Sequence, residues 1–254
     1  VRVPRVFTEL PLQTGIRIRL DTEAGQHVGR VLRLRTGSEI ELFNGGPVAF
    51  RATLLRNESE AGWDAEVIRE LTPESEAGLE LHLAQCISRG ERMDLVIQKA
   101  VELGATRITP LFSRRSVVQL SGKRLERRHD HWRRIIVHAC GQSGRNRLPL
   151  LDPSDRLDSW LALEPAATTR VLLDLDARTN LDQLTEPTGG LLVLIGPEGG
   201  LDEKERESAR AHAFLPVRLG HRILRTETAA LATLAAAQTL WGDFRSRALK
   251  PLQG

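Results

Sequence analysis

Two apolar runs near the C-terminal end each stop in a glycine-bearing turn and pass directly into a helical pattern. This strand–turn–helix sequence is what most restricts the fold. The first is Leu191–Ile195, running into Gly196-Pro197-Glu198-Gly199-Gly200. The second, residues 215–219, runs into Gly220-His221-Arg222-Ile223-Leu224-Arg225-Thr226-Glu227-Thr228. Repeated strand–helix alternation marks a mostly parallel sheet. Ligands of such sheets sit in the crevice outside the carboxyl ends of the strands. The two turns therefore predict adjacent walls of one small-molecule pocket.

The same texture extends upstream. Residues 79–87 read as a strand, followed by a helix with Met93, Val96, Ile97, Ala100 and Val101 on its buried stripe. Residues 107–112 form the next strand, and residues 123–140 an amphipathic helix with Leu125, Trp132, Ile135, Ile136 and Ala139 inward. Residues 143–158 read as loop, and 171–175 as a further strand. The last helix, placed at 228–245, carries Ala229, Ala230, Leu231, Ala232, Leu234, Ala235, Ala236, Ala237 and Leu240 around nearly its whole circumference. A helix apolar all round is buried on all sides, which predicts packing against both its own sheet and a second subunit.

Residues 1–72 are different. Alternating Ile16-Arg17-Ile18-Arg19-Leu20, then Glu39-Ile40-Glu41-Leu42-Phe43 before the turn Asn44-Gly45-Gly46-Pro47, and candidates at 48–55 and 63–71 predict a small β-barrel. His27-Val28-Gly29-Arg30-Val31-Leu32-Arg33 is expected to be a short helix with Arg30 and Arg33 on one face. The breaker-rich stretch Thr72-Pro73-Glu74-Ser75-Glu76-Ala77-Gly78 is taken as the boundary, giving domains 1–72 and 73–254.

Charge narrows the partners. Residues 1–72 are balanced, with ten basic and ten acidic side chains, whereas residues 114–134 carry eight Lys/Arg against Glu126 and Asp130. Only four of the 36 basic residues are lysine, and guanidinium grips phosphate with paired hydrogen bonds. The patch permits nucleic-acid binding and equally describes a solvated helix face. No run of eighteen apolar residues suggests a membrane span. Val1-Arg2-Val3-Pro4-Arg5 lacks a signal-peptide core. Cys86 and Cys140 sit among apolar neighbours and read as structural thiols in a reducing, cytoplasmic setting, with no metal site expected.

The turns carry the chemistry. Gly196, Gly199 and Gly200 allow close backbone approach to a ligand, Pro197 stiffens the bend, and Asp202 with Glu205 reads as a helix capping box. Neither a phosphate-cradling Gly-Lys loop nor a dinucleotide turn is present, and Glu198 repels phosphate, so a ligand without pyrophosphate is expected. In the second turn Ile223 and Leu224 are candidate walls for an adenine. Thr226 and Thr228 are candidate helix caps, and Arg225 sits at an anion-friendly helix start. Arg225 and Glu227 alternatively form a structural ion pair.

Together with Gln98-Lys99-Ala100-Val101-Glu102-Leu103-Gly104, Ser143-Gly144-Arg145-Asn146-Arg147, Pro4-Arg5, the stretch 85–93 and Thr109-Pro110-Leu111-Phe112, these motifs resemble the bacterial ribosomal RNA small subunit methyltransferase E family of the SPOUT superfamily, nearly end to end. The resemblance implies an α/β protein. A PUA-like RNA-binding β-barrel precedes a trefoil-knot methyltransferase domain, acting as a homodimer with S-adenosylmethionine on N3 of a decoding-region uridine in 16S rRNA, free or in the 30S subunit. Ribose 2′-O methylation, or an inactive assembly factor, are the alternatives.

Carried over by motif, the implied cofactor residues are Leu172, Leu173 and Leu175; Ile195, Gly196, Pro197, Glu198, Gly199 and Gly200; and Leu219, Gly220, Ile223, Leu224, Arg225, Thr226 and Glu227. Arg225 is the expected catalytic cation, with Glu198 or Glu227 as proton acceptor. Arg5, Arg30, Arg33, Arg89, Lys99, Glu102, Arg145, Asn146 and Arg147 are the expected RNA contacts. Relatives often carry glutamate where this chain has Gly141. With no tyrosine present, base stacking falls to Phe, Trp, His or arginine planes.

Overall fold

The computed structural model describes residues 3–57, 62–71, 78–116, 120–163 and 168–245. The chain divides into two compact units, one of residues 1–76 with 137–148, the other of residues 77–136 with 149–254. Most of the expected boundary stretch, residues 72–77, lies outside the described residues.

The first unit is built on a five-stranded sheet in the order β1-β3-β4-β5-β2, where β1 is Arg5–Phe7, β2 Arg17–Arg19, β3 Glu39–Phe43, β4 Phe50–Asn57 and β5 Gly62–Glu70. The β1–β3 pair is parallel and the rest antiparallel. Alternation puts Phe50, Ala52 and Leu54 of β4 inward with Ile40, Leu42, Trp63, Ala65 and Val67. The predicted helix over residues 27–33 differs from what forms. Helix α1 (Thr22–Gln26), capped by Asp21, runs into a π-helical turn at His27–Val31, and Arg33 lies beyond it at φ 53°. Arg30 and Arg33 thus share no helix face. The reason for Gly29 is steric, because a Cβ there would lie 2.7 Å from the Trp63 indole nitrogen. Asn44 closes the β3–β4 turn by accepting the Gly46 amide at 3.2 Å.

The second unit holds a parallel sheet ordered β12-β10-β11-β6-β7-β8, with β9 also pairing β7. Its strands are β6 (Leu81–Cys86), β7 (Arg107–Phe112), β8 (Leu150–Leu151), β9 (Asp155–Arg156), β10 (Thr169–Leu173), β11 (Leu191–Ile195) and β12 (Leu215–Val217). Helices α2 (Glu91–Glu102), α3 (Gly122–Ser143), α4 (Leu157–Leu163), α5 (Glu203–Ala211) and α6 (Thr226–Trp241) complete it, the end of α3 counting with the first unit. Strand β11 is buried throughout, as a strand covered on both faces must be. Helix α4 and the two short strands fall within and just after the stretch expected to be loop. Leu157, Trp160 and Leu161 give α4 a buried stripe at helical spacing.

Helix α6 starts two residues earlier than expected and ends at Trp241 before the non-helical Gly242. Ala229, Ala230, Leu234 and Ala237 are buried, whereas Leu231, Ala232, Ala235, Ala236 and Leu240 stay half-exposed within one chain. The expectation of burial on all sides therefore fails for the single chain, because α6 packs through one face onto α2, β6 and β11. Cys86 and Cys140 are buried free thiols, as expected. Burial pushes the Cys86 thiol well above its ordinary value.

Candidate active site

Both glycine turns line one cavity of about 610 Å3 at the carboxyl ends of β10, β11 and β12. In the sheet β10 lies between β11 and β12, so residues 172–176 sit between the turns. The strand order explains why turns close in sequence enclose a space wide enough for a ligand.

The first turn closes with the Gly200 amide donating to Pro197 O at 2.9 Å. Gly196 is required by contact, since a Cβ there would sit 3.1 Å from the Leu201 amide nitrogen. The capping box forms as expected. Asp202 Oδ1 accepts the Glu205 amide at 2.8 Å, and Glu205 Oε2 accepts the Asp202 amide at 2.9 Å. Glu205 Oε1 also receives the Arg114 amide at 2.7 Å, and the Arg115 guanidinium donates to Gly199 O at 3.1 Å. The segment after β7 thus fastens the turn from one side. From another, Glu198 Oε1 accepts the Arg89 amide and the Arg92 guanidinium, both at 3.1 Å. Burial pushes the Glu198 carboxyl upward, but the amides of Arg89 and of Glu198 itself, with Arg92, outweigh it and hold the group below the ordinary glutamate range. Such a carboxylate is a poor proton acceptor, which argues against the basic role expected for Glu198.

The second turn is tied to the first by a buried latch. Thr226 Oγ1 donates to Gly196 O at 2.7 Å and accepts from Gln85 Nε2 at 2.9 Å. Gln85, fully buried at the end of β6, also donates to Cys86 O at 2.9 Å. Thr226 is therefore not the expected cap, and neither is Thr228. Arg225 occupies the N-cap position in extended backbone, with no side-chain capping bond. Nor do Arg225 and Glu227 pair: among the described residues the Arg225 guanidinium has no partner, and Glu227 Oε2 is buried without one.

Of the expected cofactor residues, Leu172, Leu173, Leu175, Ile195 through Gly200, Leu219, Ile223, Leu224, Arg225 and Thr226 line the cavity, and Gly220 and Glu227 do not. Arg92, Asp176, Leu201, Arg206, Arg218 and Ala229 line it without having been singled out. A helix-start arginine such as Arg92 looks solvated in sequence, and only the Glu198 contact reveals it.

The expected RNA contacts divide. Arg30, Arg33, Arg89 and Arg147 are exposed, and Arg145 is half-buried. Arg5 is not available for phosphate. Its side chain is 7% exposed, paired with Glu41, and donates to Asn146 Oδ1 at 2.7 Å and Arg145 O at 3.1 Å. Its guanidinium carbon lies 4.9 Å from the Phe43 ring centre. Asn146 is buried too, donating to Pro47 O at 3.2 Å. Lys99 and Glu102 satisfy each other at 2.7 Å on α2, outside the cavity lining. A Cβ at position 141 would meet the Phe43 ring at 3.9 Å, so the site accepts a side chain where this chain has none.

The cavity suits S-adenosylmethionine. Its volume lies within the usual range for small-molecule sites, roughly 300–1,000 Å3. Leucine and isoleucine walls suit an adenine, and the lining carries charges of both signs, with Asp174 and Glu198 already paired to Arg210 and Arg92.

The comparisons agree with this geometry. Residues 75–238 match the family model of the RNA methyltransferase domain, and residues 20–58 that of the RNA methyltransferase PUA domain. The ribosomal RNA small subunit methyltransferase E of Buchnera aphidicola (from Schizaphis graminum) is 31% identical, the match covering 96% of this chain and 98% of that one. Among solved structures, the Neisseria gonorrhoeae methyltransferase E bound to S-adenosylmethionine superposes with a TM-score of 0.89 at 39% identity, over 96% of this chain and 100% of that one. A putative Legionella pneumophila methyltransferase, also bound to S-adenosylmethionine, gives 0.90 at 37% identity over the same shares. Fold and site therefore define an RNA methyltransferase, with a PUA-like N-terminal domain and a SPOUT-type parallel α/β domain. The chain belongs to the ribosomal RNA small subunit methyltransferase E family.

Proposed function

We propose that this chain methylates N3 of a decoding-region uridine in 16S rRNA, with S-adenosylmethionine bound between the two glycine turns. The observation that carries the reading is the cavity over β10, β11 and β12 with Arg225, unpartnered among the described residues, at its wall. When bound, the cofactor supplies an electrophilic methyl carbon: the N3–carbon bond forms as carbon–sulfur breaks, and the electron pair returns to sulfur.

The chain's own residues do the remainder. Leu172, Leu173, Ile195, Leu219 and Leu224 exclude water, and the Gln85–Thr226 latch fixes the start of α6. Arg225, held there, stabilises the negative charge that spreads over the uracil oxygens once N3 loses its proton. Glu227, close to Arg225 in sequence but outside the cavity lining, is the remaining carboxylate for that proton, with one buried oxygen unpartnered among the described residues. The barrel-like domain, taken as residues 1–72, binds RNA through exposed Arg30 and Arg33, and Arg89, Arg145 and Arg147 extend the contact. Buried Arg5 and Asn146 shape the segment that presents Arg145 and Arg147.

The half-exposed stripe of α6 supports a homodimer formed across Leu231, Ala235 and Leu240. The trefoil knot and a cytoplasmic location complete the reading. Among the described residues no helix is long and apolar enough to cross a membrane.

Nucleoside analysis of rRNA from a deletion strain tests the reaction. Loss of 3-methyluridine supports it, loss of a 2′-O-methyl nucleoside transfers the chemistry to ribose, and no change rejects both. Arg225→Ala is expected to lower kcat about 100-fold with cofactor Kd little changed. Equal losses in both make Arg225 a cofactor-binding residue only.

A further inference from the structure

Besides Arg225 the cavity wall holds Arg92, Arg206, Arg218 and Arg222, and the reading above leaves Arg92 without a task. It is the second residue of α2, at the edge of the buried stripe of Met93, Val96, Ile97, Ala100 and Val101, and its side chain is 45% exposed. One guanidinium nitrogen, Nη1, donates to Glu198 Oε1 at 3.1 Å. The other N–H donors have no partner among the described residues. A half-exposed ion pair adds little stability, so stability alone is a weak reason for it. What the pair accomplishes is orientation. Glu198 is itself fixed by the Arg89 amide, and it holds the guanidinium against the cavity with its remaining donors open.

The charge that must be accommodated is two-sided. Removing the N3 proton spreads negative charge onto O2 and O4, which flank N3 on opposite sides. Arg92 comes from a different element, the start of α2, and lines the same cavity as Arg225. Resting on the uridine-N3 reading, we propose that Arg92 is a catalytic residue, a second guanidinium that shares with Arg225 the negative charge of the deprotonated uracil, and that Glu198 is its positioning residue. The acid of the first turn then serves to aim a cation.

The test uses the full-length protein and small ribosomal subunits from a strain lacking the modification. Arg92→Met, Arg92→Lys and Glu198→Gln are compared by kcat across pH, by calorimetric Kd for S-adenosylmethionine, and by thermal unfolding. Arg92→Met is expected to lower kcat about 100-fold, with cofactor Kd within about threefold of wild type by the same logic of charge developing only in the transition state. Its residual rate should climb with pH further than wild type does, because without that cation the bound uracil loses its proton only at higher pH. Arg92→Lys should recover part of the loss, and Glu198→Gln should lose less than Arg92→Met while moving the pH profile the same way.

Three results overturn the proposal. A cofactor Kd that weakens in step with kcat makes Arg92 a cofactor-binding residue. A Glu198→Gln loss exceeding that of Arg92→Met makes Glu198 the base. An unchanged Arg92→Met removes Arg92 from the reaction. If wild-type protein binds the cofactor yet transfers no methyl to uridine, the underlying reading fails before any variant is compared.

Discussion

Thr226→Val measures how far the cavity depends on one buried hydroxyl. The substitution keeps shape and removes two hydrogen bonds, to Gly196 O at 2.7 Å and from Gln85 Nε2 at 2.9 Å. Thr226 is 6% exposed, so water does not readily replace them. Gln85 Nε2 retains Cys86 O, and losing its second bond costs about 1 kcal/mol net. The Gly196 carbonyl loses the Thr226 donor, at roughly 1–3 kcal/mol. The sum is about 2–4 kcal/mol, concentrated where β6, the first turn and α6 meet. Thr226→Ser keeps the hydroxyl and removes one methyl group, costing about 1 kcal/mol. Urea-dependent hydrogen exchange of the β11 and α6 amides reads the difference locally, without requiring the two units to unfold together. The valine variant should expose these amides at distinctly lower urea than serine, and should also weaken binding of S-adenosylmethionine. Serine proving more damaging than valine would show that the methyl packing, and not the hydroxyl, holds the junction.

Two further outcomes follow from other sites. His82 is neutral in the fold: burial first, then Arg107, pulls it down to about 4 from 6.5, against the opposing pull of Asp152. In the neutral form its Nε2–H donates at 2.7 Å to Thr109 Oγ1, whose hydroxyl donates to Asp152. Between those two values the unfolded chain binds the proton more readily, so this stability is complete above pH 6.5 and fades as pH falls toward 4. The loss is at most about 3 kcal/mol, and His82→Gln should flatten the slope of urea midpoint against pH in that window. Gly196→Ala forces a methyl group to 3.1 Å from the Leu201 amide. It should cost about 1–3 kcal/mol and weaken cofactor binding in calorimetry, whereas wild-type affinity would show the turn yields without harm.

What was legible in the sequence was local. The limits of β11 and β7, the Asp202–Glu205 cap and the cavity-lining turns follow from periodicity and turn chemistry over a few residues. Helix α4 is hidden in the sequence because its three buried positions, Leu157, Trp160 and Leu161, follow Pro153 and short polar stretches that read as loop. The start of α6 was misplaced because Thr226 looks like a cap in sequence, whereas its hydroxyl is drawn to Gly196 thirty residues away. Arg5 reads as a phosphate contact in sequence because nothing near it announces Glu41 or Asn146 as partners. The expected base and the overlooked cation share one error. Glu198 and Arg92 are each ambiguous alone, and only a contact spanning 106 positions turns them into a pair.

The first unit borrows residues 137–148 from the middle of the chain. On the ribosome, the N-terminal strands therefore emerge well before the segment that supplies Arg145 O and Asn146 to Arg5. Until translation passes that point the Arg5 side chain has only part of its lodging. A fragment ending near residue 76 would carry the same deficit permanently, so domain dissection of this enzyme calls for a circular permutation or a linker that brings residues 137–148 along.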